Sequence, residues 1–128
     1  MRVASAAAAM GVARSSFEYA RDYAKEREAF GVKIAQKQAI AFMLAEMATE
    51  MEGIRLLTWE AAWKLDNNKE DSCIEAYLAQ NGAADMVMMV TDRGVQIYGG
   101  HGYIRENPVE LLMRNGRGFA ALLGLVII

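Results

Sequence analysis

The chain has 128 residues, of which 54% are hydrophobic and 23% charged, so it can bury the core of one domain rather than stay disordered. Its 14 basic and 16 acidic residues leave a net charge of −2, and no cluster of Lys and Arg among aromatic residues gives a basis for a nucleic-acid partner. A lone cysteine, Cys73, excludes an internal disulfide and favours a reducing compartment, and with a single histidine it argues against a metal site.

The first predicted helix covers about residues 2–28. A narrow apolar seam of residues spaced by seven, filled in by alanines, supports it. The seam consists of Val3, Met10, Phe17 and Ala24 with Ala6, Ala7, Ala13 and Ala20. No apolar run reaches the length of a bilayer span, and the start, MRVASAAAAMG, continues into charged sequence without a cleavage site. We therefore expect a soluble, unprocessed protein without a membrane span.

Three further helices follow a break at Phe30-Gly31. The second runs from Gln36 to about Leu65, and the third ends near Tyr98 after an N-cap at Asp71 or Ser72. The fourth begins at Pro108 with Asn107 as its N-cap, and Gly116 and Gly118 are expected to weaken its middle. These three assignments rest on apolar periodicity bounded by turn residues.

No stretch alternates with period two for long enough to predict a sheet. Long helices joined by short turns pack antiparallel, so the sequence predicts an all-α protein of one domain with an up-down four-helix bundle. The last ten residues, FAALLGLVII, end on apolar side chains without a polar cap. We expect a chain with this ending either to bury its tail or to be cut short.

The glycine-rich segment after the third helix exceeds what a helix stop requires. Gly99, Gly100 and Gly102 surround His101, and Gln96 lies on the preceding helical turn. Backbone without Cβ atoms beside a glutamine suits close approach to a polar ligand or to another chain. A well-capped turn between packed helices explains the same residues, so both interpretations stay open. We expect His101 itself to be a turn residue that contacts the next helix or a ligand.

Catalytic chemistry is not visible in the sequence. His101 has no serine or cysteine near it to form a nucleophile and base pair. Carboxylates at helical spacing fit solvated or interhelical positions, namely Glu46, Glu50, Glu60, Glu75, Asp85 and Asp92. A set of methionines fits core filling, namely Met43, Met47, Met51, Met86, Met88, Met89 and Met113.

A second segment of interest is the break between the first two helices. Arg27 and Phe30 precede Gly31, and Gln38 follows on the next helix. Arg27 at a helix C-terminus could simply complement the helix dipole. A planar guanidinium beside an exposed amide side chain also suits a phosphate or pyrophosphate.

Three motifs together identify a resemblance. They are YAKEREAFG (Tyr23–Gly31), Gln38-Ala39-Ile40 with FMLAEMA (Phe42–Ala48), and VQIYGGHGYIRENPVELLMRN (Val95–Asn115). In this order and spacing they resemble the C-terminal helical domain of the acyl-CoA dehydrogenases, over essentially the whole chain. Members of this family are FAD flavoproteins that introduce a double bond between Cα and Cβ of an acyl-CoA thioester, as in fatty-acid β-oxidation.

The resemblance implies a role for each matching residue. Arg27 would meet the FAD pyrophosphate with Phe30 beside it, and Gln38 would lie near the same flavin. Gln96, Gly99 and Gly100 would approach the adenosine-phosphate part of FAD from across a subunit interface, with main-chain amides reaching the anion. Arg2 would contact the acyl-CoA substrate. The resemblance further implies an electron-transfer flavoprotein partner, a homo-oligomer, and a location in bacterial cytoplasm or mitochondrial matrix.

The family's catalytic carboxylate is missing at both positions where the resemblance would place it. One position falls on Leu123, before Gly124, and the other falls on Met1, ahead of Arg2. No catalytic residue is therefore assigned. The family's N-terminal and middle domains and the last helix are also absent, so we expect a domain that neither holds FAD nor turns over substrate alone. A non-catalytic oligomerisation module and a dehydrogenase-like protein without its glutamate are the alternatives.

Overall fold

The computed structural model describes the backbone of residues 1–125 and the side chains of residues 1–122. Four helices make up almost all of it: α1 (Arg2–Glu26), α2 (Gln38–Asp66), α3 (Ser72–Tyr98) and α4 (Val109–Leu125). The predicted all-α class and the four predicted helices are thus confirmed, with boundaries that differ by at most two residues. The end of the apolar tail, residues 126–128, lies outside the described part of the chain.

The helices alternate in direction, as contacts at their ends show. Arg2 at the start of α1 donates to Gln80 near the start of α3 at 3.4 Å, so α1 and α3 run parallel. Helix α2 runs the opposite way, because Lys64 near its end contacts Glu75 near the start of α3. Helix α4 also runs opposite to α3, because Glu110 near its start lines a pocket with Val95 of α3 and Arg117 further along it lines one with Met88. The predicted up-down order is therefore present, with α1 and α3 in the most extensive contact.

Small residues explain the close packing of α1 on α3. The buried face of α1 is a stripe at helical spacing, Ala6, Ala9, Ala13, Ser16, Ala20 and Ala24. The larger residues of the predicted seam, Val3, Met10 and Phe17, are only partly buried at its sides, and Ala7 is exposed. The prediction was therefore wrong about the centre of the seam, because only Cβ-sized side chains fit where two helix backbones approach closely.

Two glycines mark close helix contacts. A Cβ added to Gly94 would lie 2.2 Å from Oγ of Ser16, and one added to Gly116 would lie 3.0 Å from Oγ1 of Thr91. Helix α4 continues unbroken through Gly116. We expected Gly116 to weaken the helix, but its lack of a side chain also lets α4 approach α3, so the glycine has a function in packing.

The predicted N-cap position of α3 at Asp71 is confirmed, but its side-chain cap is absent. Asp71 occupies the N-cap position of α3 without a capping hydrogen bond, because its carboxylate accepts from Nζ of Lys64 at 2.7 Å. Asn107 donates its side-chain amide to the carbonyl of His101 at 2.8 Å and so braces the preceding turn. Tertiary partners compete with the helix ends for these polar groups.

The methionines and carboxylates behave as expected. Met47, Met51 and Met86 are buried in the core, and the other four methionines of the predicted set are partly buried. Among the carboxylates, Glu46 pairs with Arg93 across α2 and α3. Glu75 accepts from Lys64 at 2.8 Å. The structure therefore assigns packing to the methionines, interhelical ion pairing to Glu46 and Glu75, and exposed positions to the other four carboxylates.

Candidate functional site

A short hairpin connects α1 to α2. Its strands, β1 (Glu28–Ala29) and β2 (Val32–Lys33), pair antiparallel, with Glu28 opposite Lys33. The amide of Arg27 donates to the carbonyl of Tyr23 at 2.8 Å, and the carbonyl of Arg27 accepts from the amide of Ile34 at 2.9 Å. The sequence predicted only a break here, because strands of two residues are too short to show alternation. The hairpin closes the end of α1 and fixes the backbone of Arg27.

Phe30 forms the tip of the hairpin in an unusual state. Its φ is +56°, in the left-handed region, and the following Gly31 has φ +80°. A bulky residue in this region is strained by about 1–2 kcal/mol. The Phe30 side chain is 95% exposed, and its described ring contact is the Lys37 ammonium, 5.6 Å from the ring centroid. The fold therefore holds an aromatic ring in solvent at a cost that its own packing does not offset.

The charges of the hairpin separate into paired and unpaired groups. Lys33 pairs with Glu28 at 2.8 Å and also donates to the carbonyl of Glu26 at 3.0 Å. Arg27 is exposed and has no ion-pair partner among the described residues. Its guanidinium therefore keeps all its donors available for an anion. Lys37, which the sequence analysis did not identify, adds a second cation beside Phe30.

Gln38 is the first residue of α2 and is exposed. It follows Lys37 directly, and the amide of Lys37 donates to the carbonyl of Ile34 at 3.0 Å in a 3-10 turn over Ile34–Gln36. The hairpin and this turn thus bring three of the predicted residues, Arg27, Phe30 and Gln38, to the same end of the bundle.

The glycine turn follows α3 and contains glycines of two kinds. Gly102 is buried, and a Cβ on it would lie 2.5 Å from the carbonyl oxygen of Val95, so packing requires it. Gly99 has φ +57° and ends α3 in a conformation that favours glycine. Gly100 is exposed, has no atom within 4 Å of an added Cβ, and is not among the positive-φ residues. Nothing within the described chain requires Gly100 to be a glycine.

The position of the glycine turn at a helix end determines how it can meet a ligand. The turn lies at the C-terminal end of α3, where carbonyl oxygens and the negative end of the helix dipole face outward. The dipole of α3 therefore gives no attraction for an anion at this turn, and an anion would have to be met by the amides of the turn itself. Exposed Gln96, whose carbonyl accepts from the amide of Gly99, and the bare backbone at Gly100 instead favour steric approach and hydrogen bonding.

Two stacked tyrosines join the hairpin region to the glycine turn. The rings of Tyr23 and Tyr98 have centroids 4.0 Å apart and an angle of 15° between their planes. Tyr98 is buried, and this burial raises the pKa of its phenol. His101 is exposed, with its ring 6.4 Å from that of Tyr23, so the expected turn position of His101 is confirmed. The sequence analysis missed both tyrosines because aromatic residues near helix ends are common.

The predicted substrate residue lies at the opposite end of the bundle. Arg2 donates to Gln80 and has its guanidinium 5.2 Å from the ring centroid of Tyr77. Arg27 is 25 positions further along α1, about 35–40 Å at 1.5 Å per residue. Met1 is fully exposed and offers no carboxylate. The side chain of Leu123 lies outside the described residues.

Other features of the described part do not add chemistry. A groove of about 640 Å³ lies between α1 and α2, away from both candidate segments, with its Arg14–Glu18 and Arg55–Glu52 charges already paired. Within residues 1–122, no group of three or more His, Cys, Asp or Glu side chains is arranged to hold a metal ion. None of the four described helices is long and apolar enough to cross a membrane.

Comparison with known proteins supports the resemblance. The family model of the acyl-CoA dehydrogenase C-terminal domain matches residues 1–125. The Acetobacterium woodii caffeyl-CoA reductase-Etf complex subunit CarC is 43% identical over 118 residues, which are 92% of this chain and 31% of that protein. The mitochondrial short-chain specific acyl-CoA dehydrogenase of Sus scrofa is 39% identical over 116 residues, which are 91% of this chain and 28% of that protein.

Comparison with solved structures agrees with the sequence comparison. The structure of butyryl-CoA dehydrogenase from Megasphaera elsdenii superposes with a TM-score of 0.89 at 37% identity, and the match covers 92% of this chain and 30% of that one. The chain thus spans about a third or less of the length of these relatives. Taken with the four-helix bundle, the match over almost the entire chain shows that this protein belongs to the acyl-CoA dehydrogenase family, of which it is the C-terminal domain.

Proposed function

We propose that this domain supplies part of the FAD-binding surface of an acyl-CoA dehydrogenase that removes hydrogen from Cα and Cβ of an acyl-CoA thioester. Arg27, Phe30 and Gln38 would hold one part of the cofactor, and the turn containing Gly99 and Gly100, with Gln96, would hold another. When bound, FAD supplies the acceptor for the hydride from Cβ. The domain's own contribution is to bind and orient the cofactor.

The observation that carries this proposal is Gly100. Among the glycines of the turn, Gly102 is required by internal packing and Gly99 by its φ, whereas neither reason applies to Gly100. An exposed backbone position kept free of a side chain, next to the exposed amide of Gln96, fits a surface that something outside the chain approaches closely.

The hairpin supports the proposal independently. Arg27 is an unpaired exposed guanidinium, which matches the bidentate geometry of a pyrophosphate. Phe30 holds a strained backbone conformation with its ring in solvent, and strain of this kind concentrates at functional positions. An aromatic ring beside the Lys37 ammonium, on the same hairpin segment as Arg27, suits a cofactor with both an aromatic system and phosphates.

We also propose that the 128-residue chain by itself neither retains FAD nor turns over substrate. All six proposed contact residues are exposed, so the domain offers one open surface and encloses no part of the cofactor. Neither position that the family uses for its base carries a carboxylate in this sequence. Stoichiometric flavin absorbance in the purified chain would contradict this proposal.

The exposed face of α2 supports a proposal of association with other subunits. Leu56, Trp59 and Trp63 lie at helical spacing and are each more than half exposed, and such apolar stripes mark interaction surfaces. We propose a homo-oligomer in bacterial cytoplasm or mitochondrial matrix, and an electron-transfer flavoprotein as redox partner. The partner proposal is supported by the name of the Acetobacterium woodii relative, a subunit of an Etf complex. The same stripe favours the second candidate function, a non-catalytic oligomerisation module.

A chimera tests the FAD proposal. This chain would replace the matching part of Megasphaera elsdenii butyryl-CoA dehydrogenase, and bound flavin per subunit would be measured by absorbance. Gly100→Ala should leave the stability of the 128-residue chain nearly unchanged, because no atom lies within 4 Å of the new Cβ. A clash with the cofactor of about 1–3 kcal/mol should lower FAD affinity about 5- to 150-fold.

Two further variants complete the design. Gly118→Ala is the matched control, since Gly118 is also exposed with open space around it but lies within α4; it should retain FAD. Arg27→Met should lower FAD retention without changing subunit number. If Arg27→Met and Gly100→Ala retained flavin and only oligomeric state changed, the oligomerisation module would replace the FAD proposal.

A further inference from the structure

We propose that Tyr98 is a positioning residue whose stack on Tyr23 sets the distance between the two segments assigned to FAD. This inference rests on the proposed function for its consequence, but its geometry is a property of the chain alone. The two segments are the hairpin segment, residues 27–38, and the turn segment, residues 96–102.

On the α3 side, Tyr98 is covalently joined to the turn segment. It is the last residue of α3 and directly precedes Gly99, whose amide bonds back to Gln96. Gly102 is packed against the carbonyl of Val95 and Cβ of Tyr98. The turn therefore forms one tight unit with the end of α3, and a displacement of the Tyr98 ring moves Gly99 and Gly100 with it.

On the α1 side, Tyr23 connects to the hairpin segment through a chain of backbone hydrogen bonds. The carbonyl of Tyr23 accepts from Arg27 at 2.8 Å, the carbonyl of Arg27 accepts from Ile34 at 2.9 Å, and the carbonyl of Ile34 accepts from Lys37 at 3.0 Å. These bonds run from the backbone of Tyr23, which carries the stacked ring, to the residue before Gln38. Tyr23 therefore moves with the whole hairpin segment.

The stack is the closer of two ring contacts between these units, because the His101 ring of the turn segment lies 6.4 Å from the Tyr23 ring and is tilted by 46°. Near this end, the buried residues of α1 are Ala20 and Ala24, and Cβ-sized side chains do not fix rotation or sliding of one helix on another. Parallel rings 4.0 Å apart do impose a geometry. The Tyr98 hydroxyl donates to the carbonyl of Tyr19 at 3.4 Å, which is long for a hydroxyl donor. The ring, rather than the hydroxyl, should therefore carry the positioning.

Three variants of the 128-residue chain test the geometry by hydrogen exchange of individual amides. Tyr98→Leu removes the ring and keeps an apolar side chain, and Tyr98→Phe keeps the ring. Val90→Ala is the matched control, because Val90 is a buried residue of α3 two turns away from the stack. Tyr98→Leu should speed exchange at the amides of Ile34 and Tyr103 about two- to tenfold more than Val90→Ala does, the range expected for loss of an aromatic pair. Tyr98→Phe should match the wild type.

The chimera adds a functional readout. At conditions where all variants are equally folded, Tyr98→Leu should lower FAD affinity by about two- to tenfold, and Tyr98→Phe should restore it. Equal exchange in Tyr98→Leu and Val90→Ala would overturn the positioning proposal, whatever the flavin content. Loss of FAD from the unsubstituted chimera would instead refute the proposed function, and the exchange rates would still decide the positioning.

Discussion

The contact between Ser16 and Gly94 leads to the prediction that Gly94→Ala lowers the stability of the wild type but raises that of a Ser16→Ala variant. Both residues are buried where α1 crosses α3, and Oγ of Ser16 has no hydrogen-bond partner. A Cβ at position 94 would lie 2.2 Å from that oxygen but 3.6 Å from Cβ of Ser16. The hydroxyl alone therefore creates the clash.

These distances set the expected free energies. Gly94→Ala should cost about 1–3 kcal/mol for overpacking, offset by about 1 kcal/mol from the better helix propensity of alanine. The net change in the free energy of unfolding is thus a loss of about 0–2 kcal/mol. In a Ser16→Ala background the remaining 3.6 Å contact is ordinary, so Gly94→Ala should gain about 0.5–1 kcal/mol.

Urea unfolding followed by circular dichroism would measure the two single variants, the double variant and the wild type. Ser16→Ala alone should leave stability unchanged or raise it, because it removes an unpaired buried hydroxyl. Gly53→Ala is the control for propensity, since Gly53 is exposed within α2 with no atom near an added Cβ. A coupling below about 0.5 kcal/mol, or a Gly94→Ala variant as stabilised as Gly53→Ala, would refute the reasoning.

Two other predictions concern charge and backbone strain. The Lys64 ammonium holds the pKa of Asp71 below its ordinary value of 3.8, so the stability from this pairing is present above about pH 4 and is lost as the pH falls further. The melting temperature of Lys64→Met should therefore fall less between pH 6 and pH 3 than that of the wild type. Arg14→Met, which removes an exposed ion pair on α1, is the control and should show the same fall in melting temperature as the wild type. Equal falls for the wild type and Lys64→Met would contradict this prediction. Phe30→Asn should raise the free energy of unfolding in urea by about 0.5–1 kcal/mol, because asparagine tolerates positive φ and the exposed ring is lost at little cost. The same variant should weaken FAD binding in the chimera. A lower free energy of unfolding would instead show that the ring stabilises the fold.

These experiments treat the domain as one side of a shared site. Its exposed guanidinium, strained aromatic residue and bare backbone each lie at the surface, and the relatives are about three times as long. In such an arrangement, stability and cofactor affinity can be changed independently at Gly100 and Phe30. A surface substitution that changes cofactor affinity but not stability therefore identifies a residue that contacts something outside the chain.

Local sequence determined most of the secondary structure. Apolar residues at helical spacing between Gly31, the Asp66–Asn68 turn and Pro108 were enough to place four helices, because periodicity and chain-breaking residues act within a few positions. The motifs around Arg27 and Gly99 were also visible, and their order identified the family.

Only the tertiary structure decided which groups meet. The alanine stripe of α1 is the buried one because α3 approaches too closely for Met10 or Phe17, and a periodic pattern does not report that distance. The Asp71 carboxylate accepts from Lys64 of α2 and does not cap α3, because the local sequence around a helix end does not specify a partner on another helix. The distinction between Gly100, free of neighbours, and Gly102, packed against a carbonyl, required the coordinates of the turn, as did the stack of Tyr23 on Tyr98. Such contacts depend on how helix backbones are placed relative to one another, which a single sequence specifies only through the complete fold.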